Sequence, residues 1–257
     1  MILFGDYHTH TDYSHGKGTI ADNVQAARAK GLKQIAITEH GFDHTAYGIT
    51  RGEYNLMRME IEILNDRYKD IKVFCGLEAN LLNTDGEIDI DVSERKAFDV
   101  LVMGFHKAFR INSIKTFFNF FVPNVIGIGR HSKRVIARNT AAYIKALEKY
   151  DIDILAHLKS NGCIVDPVAI ARVAKEKGTY IELNGKRIDF TPREIEEMVA
   201  TGVKFIVSSD AHRPDRVGEN NHGMNIIEKY NIPLEQVVNV DKLPQFKYCN
   251  RHIKVDK

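Results

Sequence analysis

The segment ILAHLKSNGCIVDPVAIARVAKEKGTYIELNGKRIDFTPREIEEMVATGVKFIVS, residues 154–208, reads as strand, helix, strand, helix, strand. Three short runs, Ile154–Ala156, Tyr180–Leu183 and Phe205–Ser208, are nearly continuous in hydrophobicity, as strands covered on both faces are. Between the first two, Asp166-Pro167 sets a cap-type residue ahead of a proline suited to a first helical turn. The helical stretch Pro167–Lys177 then closes at Gly178. Thr191-Pro192 opens the next stretch, Thr191–Thr201, which closes at Gly202, glycine being common just past a helix end.

The same unit recurs toward the N-terminus. Ile2–Tyr7, Gln34–Thr38, Lys72–Leu77 and Val100–Gly104 are further strand candidates. Thr19–Lys30 starts on a cap-type threonine and closes at Gly31, and Arg51–Tyr68 has helical periodicity with Glu/Arg pairs at close spacing. Strand–helix alternation over seven runs implies an α/β protein with a parallel sheet. A closed or nearly closed (β/α) barrel is the economical solution, and a doubly wound open sheet is the alternative. One segment breaks the rhythm. Lys107–Ala142 is long for a connection, aromatic in its first half (Phe117–Phe121, FFNFF) and basic in its second (Arg130, Lys133, Arg134, Arg138). It reads as an insertion packed on the barrel rim or as a lid over a site.

Composition excludes several classes. The chain has 257 residues, 44% hydrophobic and 27% charged, which is ordinary for a globular protein. Thirty-six basic against 34 acidic side chains leave a net charge of +2. That supplies no bulk electrostatic case for nucleic acid or an anionic membrane, although a local patch is compatible with it. No window reaches 18 uninterrupted apolar residues, so no spanning segment is expected. MILFGDYHTH is too short and too quickly polar for a signal peptide, and Cys75, Cys163 and Cys249 are few, odd in number and far apart. A reducing cytoplasm is the simplest setting. The tail NRHIKVDK carries no signal.

Eleven histidines are conspicuous in a chain without tryptophan. The first run leads into His8-Thr9-His10, the second into Thr38-Glu39-His40 and the third into Gly76-Leu77-Glu78. The fourth leads into Gly104-Phe105-His106, the fifth into His157 and the seventh into Ser209-Asp210-Ala211-His212. Only the sixth, ending in Asn184-Gly185, offers no such residue. A barrel's functional face lies at the strand C-termini, about a tenth of the chain, where about one of the histidines would fall by chance. Six fall there: His8, His10, His40, His106, His157 and His212. Residues i and i+2 of a strand share a face, so His8 and His10 are placed to chelate together, and Asp210 and His212 to face one cavity. Imidazole and carboxylate suit Zn²⁺, Fe and Mn²⁺, and more than six donors exceed one tetrahedral ion, so two or three divalent ions are expected. His44, His131, His222 and His252 read as ordinary polar residues, with His44 four positions past His40 and near the rim. His15 is ambiguous by itself. Cys75 reads as core, and Cys163 has no partner that would make it a nucleophile. Gly16-Lys17-Gly18-Thr19 lacks the full spacing of a phosphate loop.

These residues resemble the four motifs of the PHP (polymerase and histidinol phosphatase) family of metal-dependent phosphoesterases, histidinol-phosphatase-like branch. Asp6-Tyr7-His8-Thr9-His10-Thr11 resembles the first motif and Thr38-Glu39-His40-Gly41 the second, with Glu39 where aspartate is common. Glu78 followed by Gly104-Phe105-His106 resembles the third. Ser209-Asp210-Ala211-His212 resembles the fourth, continued by Pro214 and Val217-Gly218. The motifs run from residue 6 to about 218, nearly the whole chain. The resemblance implies a single-domain, distorted seven-stranded (β/α) barrel with up to three metals in a cleft. It implies that His8, His10, Glu78 and Asp210 hold one ion, that Glu78, His106 and His157 hold a second, and that His15, His40 and His212 hold a third. Glu78, Asp210 and His212 are then the residues expected to carry catalysis. A hydroxide bridging two ions would attack phosphorus in line. Lys107, Lys159, Arg187 and Arg213, all close to strand ends, are candidate phosphate contacts, Arg213 first because it follows His212. The expected reaction is hydrolysis of a small phosphorylated metabolite, histidinol phosphate being the best-known case in the family. A nuclease or nucleotide phosphatase with the same site and a non-catalytic metal-binding module are the competing readings. The sequence carries no signal for the oligomeric state.

Overall fold

Seven parallel strands hydrogen-bond in sequential order: β1 (Gly5–Asp6), β2 (Gln34–His40), β3 (Lys72–Asn80), β4 (Val100–Gly104), β5 (Ile154–Leu155), β6 (Tyr180–Asn184) and β7 (Phe205–Ser208). They form a nearly closed barrel wrapped by helices in this computed structural model, which describes residues 1–248; Cys249, His252 and the tail 250–257 lie outside the described residues. A doubly wound sheet would reverse its strand order at a switch point, and this order never reverses.

The helices begin and end where the local chemistry dictates. Thr19, Thr50 and Thr191 each accept from the backbone N–H three residues on, with Asp22, Glu53 and Glu194 returning the capping-box bond, at the starts of α1 (Ile20–Ala29), α2 (Arg51–Arg67) and, later in the chain, α6 (Pro192–Thr201). The connection from β4 to β5 holds α3 (Ile114–Thr116), a single turn continuing into a π-helical stretch, Phe117–Ile126, and then α4 (Lys133–Lys149). Asp166 caps α5 (Pro167–Lys177), and Gly178 and Gly202 take left-handed backbone at the ends of α5 and α6. α7 (Asn221–Lys229) follows β7. Among the described residues, no helix is long and apolar enough to cross a membrane.

Two apolar layers result. Leu, Ile, Val and Met side chains from the outer strand faces pack on the helices. Inside the barrel, Tyr7, Phe74, Val102, Ile154, Ile206 and Phe246 form an apolar floor. Phe74 and Glu78 share one face of β3, so the carboxylate stands above that floor.

The seam between β1 and β7 departs from expectation. The run Ile2–Tyr7 contributes only Gly5–Asp6 to regular pairing. Its earlier part pairs with the chain after β7: Leu3 bridges Val240, and Phe4 N–H donates to Asn239 O at 2.9 Å. The buried Asn239 side chain fills the gap. Its Nδ2 donates to Gly5 O (2.9 Å) and Val207 O (2.7 Å), and its Oδ1 accepts from Val207 N–H (3.0 Å). Above it, His10 N–H reaches Ala211 O at 2.8 Å, and the Asp6 carboxylate accepts from Ser209 N–H (3.0 Å), Ser209 Oγ and Gly218 N–H (2.7 Å). One side chain thus replaces several ladder bonds, and its loss strands buried backbone groups. Asn239→Ala is expected to cost about 2–4 kcal/mol of stability in denaturant titration, on the basis of three lost buried hydrogen bonds.

Candidate metal centre

The register of the sheet assembles the centre. β2 and β3 pair so that His40 lies beside Glu78, and β3 and β4 pair Asn80 with Gly104. Gly104 leaves room that a side chain would take: a Cβ there would stand 2.5 Å from the His157 ring and 3.1 Å from Glu78 Oε1. Regular pairing of β1 lapses after Asp6, and both Tyr7 and His8 turn into the barrel interior.

The fully buried Glu78 carboxylate is the focus. His157 Nε2 lies 2.8 Å from Oε1, with His8 Nε2 at 3.3 Å and His106 Nε2 at 3.4 Å. His40 Nδ1 lies 2.9 Å and His10 Nε2 3.5 Å from Oε2. Asp210 Oδ1 adds a second carboxylate, 3.7 Å from His10 Nε2, 3.9 Å from His8 Nε2 and 3.4 Å from His212 Nδ1. Donor atoms of His8, His10 and Asp210 lie within 4.8 Å of one another, as do those of His8, Glu78 and His157, and those of His10, His40 and His212. The His15 ring packs parallel on His40, 4.8 Å between centroids, and lies 4.1 Å from His212. All nine residues implied by the family resemblance therefore lie together at one end of the barrel.

The chemistry of this donor set suits cations. His8 Nε2, both ring nitrogens of His10, His15 Nδ1 and His106 Nδ1 are buried without a hydrogen-bond partner. Buried polar atoms are normally satisfied, and orphaned imidazole nitrogens around carboxylates have the form of metal donors. Burial opposes the ionised form of Glu78, but His106 and His8 outweigh it and hold its pKa well below the ordinary value. Burial likewise opposes a charge on His8, and Glu78 and Glu182 overcome it, holding that imidazole well above its ordinary value. Burial together with His40 pushes His10 well below, and burial pushes His106 well below against the pull of Glu78. His15 is pushed down to about 4 by burial, His212 and His40. Neutral rings, thereby favoured at His10, His106 and His15, are the form in which imidazole binds metal.

Two further buried carboxylates adjoin this set, Glu182 without a signal in the sequence and Glu39 within the second motif. Strand six lacks a ligand-type residue at its end, yet Glu182 within it accepts from His8 Nδ1 at 2.8 Å, from His157 N–H at 2.9 Å and from Asn184 Nδ2 at 3.0 Å. Such a carboxylate fixes the ring tautomer and leaves Nε2 as the donor to metal. Glu39 sits 3.7 Å from His10 Nδ1 and accepts from Thr11 N–H (2.7 Å), Thr11 Oγ1 (2.5 Å) and Ser14 Oγ. His157 (φ 34°) and Asp210 (φ 51°) adopt left-handed backbone, unusual without glycine and costing about 1–3 kcal/mol each. A buried glutamate two residues inside a strand and a strained turn have no short motif, so neither was readable beforehand.

A cleft of about 500 Å³ opens over the centre. Of the four expected phosphate contacts, Arg187 lines it, paired with Asp189 at 2.9 Å. Lys159 is held by Glu194 at 2.7 Å, Arg213 pairs with Asp215 at 2.9 Å, and Lys107 is exposed; none of these three lines the cleft. Lys186, absent from the expected set, lines it instead, with Nζ 3.0 Å from His212 Nδ1 and 3.2 Å from Asp210 Oδ1. His44 departs from its reading as an ordinary polar residue. It lines the cleft, stacks on His40 with centroids 4.7 Å apart, and its donor atom lies within 4.8 Å of those of His40 and His106. Its Nδ1 accepts from Tyr47 N–H at 3.0 Å, so the neutral ring carries its hydrogen on Nε2 and acts there as a donor. His131 and His222 are exposed and away from the cleft, and Cys75 and Cys163 are buried free thiols pushed up to about 12 and beyond by burial.

Comparison with known proteins agrees with this geometry. The PHP domain family model matches residues 6–186. A probable phosphatase of Caldanaerobacter subterraneus subsp. tengcongensis is 29% identical over 260 residues, covering 96% of this chain and 91% of that protein. The probable phosphatase YcdX of Escherichia fergusonii is 28% identical over 244 residues, covering 91% of this chain and 89% of that protein. Among solved structures, a histidinol phosphate phosphatase from Lactococcus lactis, complexed with zinc, L-histidinol and phosphate, has a similar fold. The TM-score is 0.63 at 17% identity, over 96% of this chain and 97% of that one. A sequential barrel carrying these motifs at its strand ends, matched by the family model over well over half its length, places the chain in the PHP domain family.

Proposed function

We propose that the protein is a metal-dependent phosphomonoesterase acting on a small phosphorylated metabolite. The observation that carries this reading is the Glu78 carboxylate with five imidazole nitrogens within 3.5 Å and Asp210 alongside. In the proposed assignment His8, His10, Glu78 and Asp210 hold one divalent ion, Glu78, His106 and His157 a second, and His15, His40 and His212 a third. Such ions supply a nucleophile at neutral pH and neutralise charge on a phosphoryl group. The chain's own groups do the rest. Glu182 orients His8. Lys186 and Arg187 stand at the cleft as cations for phosphate oxygens, and His44 offers a fixed Nε2–H. A cleft of about 500 Å³ suits a metabolite rather than a polymer. Histidinol phosphate is the first substrate to try, since the Lactococcus protein of similar fold holds L-histidinol and phosphate.

Protein purified without chelator is expected to carry two to three Zn, Mn or Fe ions per chain by mass spectrometry and to hydrolyse p-nitrophenyl phosphate. Chelation should abolish that turnover, and Mn²⁺ or Zn²⁺ should restore it. Asp210→Asn should lower turnover by about 100-fold or more with loss of bound metal. Metal-free, inactive wild-type protein that added Mn²⁺ or Zn²⁺ does not activate would leave only a non-catalytic module. Glu182→Gln is expected to weaken metal affinity about 10- to 100-fold by competition with a fluorescent chelator, while leaving the donor atoms in place. His44→Ala should raise KM several-fold with metal content unchanged, whereas a drop in bound metal would make His44 a ligand.

A further inference from the structure

The connection between β4 and α4 has a second outward-facing property, independent of the metal centre. Ile114, Phe118, Val122 and Ile126 recur every four residues, about one turn, along α3 and the π-helical stretch. The opposite side of this stretch, at Phe120, Pro123 and Asn124, is buried, with Phe120 edge-on to Phe105 at 5.4 Å. The outward stripe has no cover: Ile114 is 79% exposed, Phe118 63% and Ile126 57%, and nearby Ile128 is 68% exposed. Single exposed apolar residues are ordinary, but four large ones within 15 residues are not.

Charge identifies the occupant. Residues 107–147 contain Lys107, Arg110, Lys115, Arg130, Lys133, Arg134, Arg138 and Lys145 and no aspartate or glutamate. The whole chain carries only +2, so this is a local concentration. Lys115 and Lys145 pair with Asp85, at 2.7 and 3.6 Å, and the other six make no ion pair among the described residues. A second copy of this chain packed symmetrically on the stripe would set these cations against themselves. Single-stranded nucleic acid would use a row of ring faces for stacking, and the stripe offers only Phe118, with Phe117 edge-on beside it; Ile114, Val122, Ile126 and Ile128 are aliphatic. Arg130 (to Asn124 O, 3.2 Å) and Arg138 (to Asn119 Oδ1, 2.7 Å) contact the helix of this stripe, in a segment rich in cations that lack an acidic partner among the described residues. That combination matches the interface of an anionic bilayer, where side chains enter the acyl boundary and cations meet lipid phosphates.

We propose that this segment seats the protein on the surface of anionic membranes, with the stripe from Ile114 to Ile126 inserted at the interface and Lys133 and Arg134 against the headgroups. The stretch also abuts the cleft wall. Arg130 donates to Asn124 O at 3.2 Å, and Gly162, against which both pack, adjoins cleft-lining Asn161. Seating would therefore occur beside the mouth of the cleft.

The test is co-sedimentation of the metal-loaded full chain with vesicles of phosphatidylcholine alone or with about 30% phosphatidylglycerol. Binding to the anionic vesicles, weak binding to neutral ones and release by high salt are expected. The doubles Phe118→Ser/Ile126→Ser and Lys133→Glu/Arg134→Glu should each weaken partitioning at least about tenfold while keeping p-nitrophenyl phosphate turnover and Tm. Absence of binding to anionic vesicles, or equal binding by wild type and both variants, overturns the proposal. So does sedimentation velocity showing a dimer that Phe118→Ser/Ile126→Ser dissociates, or single-stranded DNA binding lost in the same variant. Turnover is read separately, so failure here leaves the reading of the metal centre untouched.

Discussion

A carboxylate with no exposure to water, ringed by imidazoles from four other strand ends, is the constraint on which this molecule depends. Glu78 cannot stay ionised in a dry interior without compensating partners. Those partners, His8, His10, His40, His106 and His157, follow β1, β2, β4 and β5, so they meet only if the sheet curls until its C-terminal ends converge. Barrel closure and the assembly of this carboxylate–imidazole cluster are two aspects of one requirement. The apolar floor of Tyr7, Phe74 and Phe246 lies beneath the cluster, and the cleft lies over it.

Closure is itself irregular. A sheet of seven strands with a two-residue first strand does not complete its ladder between β1 and β7. Asn239 and Asp6 take over, one beneath the centre and one beside it. Asp6 draws Ser209 and Gly218 onto β1, which sets the height of Asp210 and His212 relative to His8 and His10. The left-handed backbone at His157 and Asp210 shows the same economy: the ends of β5 and β7 are bent so that their side chains turn inward, and the surrounding packing sustains the strain.

The connection from β4 to α4 has two unlike sides. Phe120 and its buried neighbours pack on the rim with Phe105 and Phe109, as an insertion does. Phe117 and Phe118 face solvent, and the basic half divides between the turn at Arg130 and the helix from Lys133 onward. Aromatic content alone cannot separate these sides, because the π-helical stretch leaves Phe117 and Phe118 outside and turns Phe120 inward.

The strands Val100–Gly104 and Phe205–Ser208 and the helix Pro167–Lys177 coincide with their readings in the sequence, because burial on both faces, caps and terminal glycines act over a few residues. The clustering of His8, His10, His40, Glu78, His106, His157, Asp210 and His212 was legible for a related reason: a strand end is a local feature, and such residues there stand out against a low background, whereas His15 was ambiguous without the family resemblance. Glu182, Lys186, His44 and Asn239 were not legible. Glu182 and Lys186 lie in or just beyond the strand that showed no ligand, His44 depends on a turn that brings Tyr47 N–H to its ring, and Asn239 acts on residues more than 30 and more than 230 positions away. What the sequence determined by itself is the strand–helix alternation and the residue types at the strand ends, both set by short-range periodicity and residue chemistry. What only the tertiary structure decided is which cations reach the cleft, which carboxylate holds each imidazole and how the seam closes. Each of these depends on the distance between groups that the chain separates widely and the fold brings within a hydrogen bond.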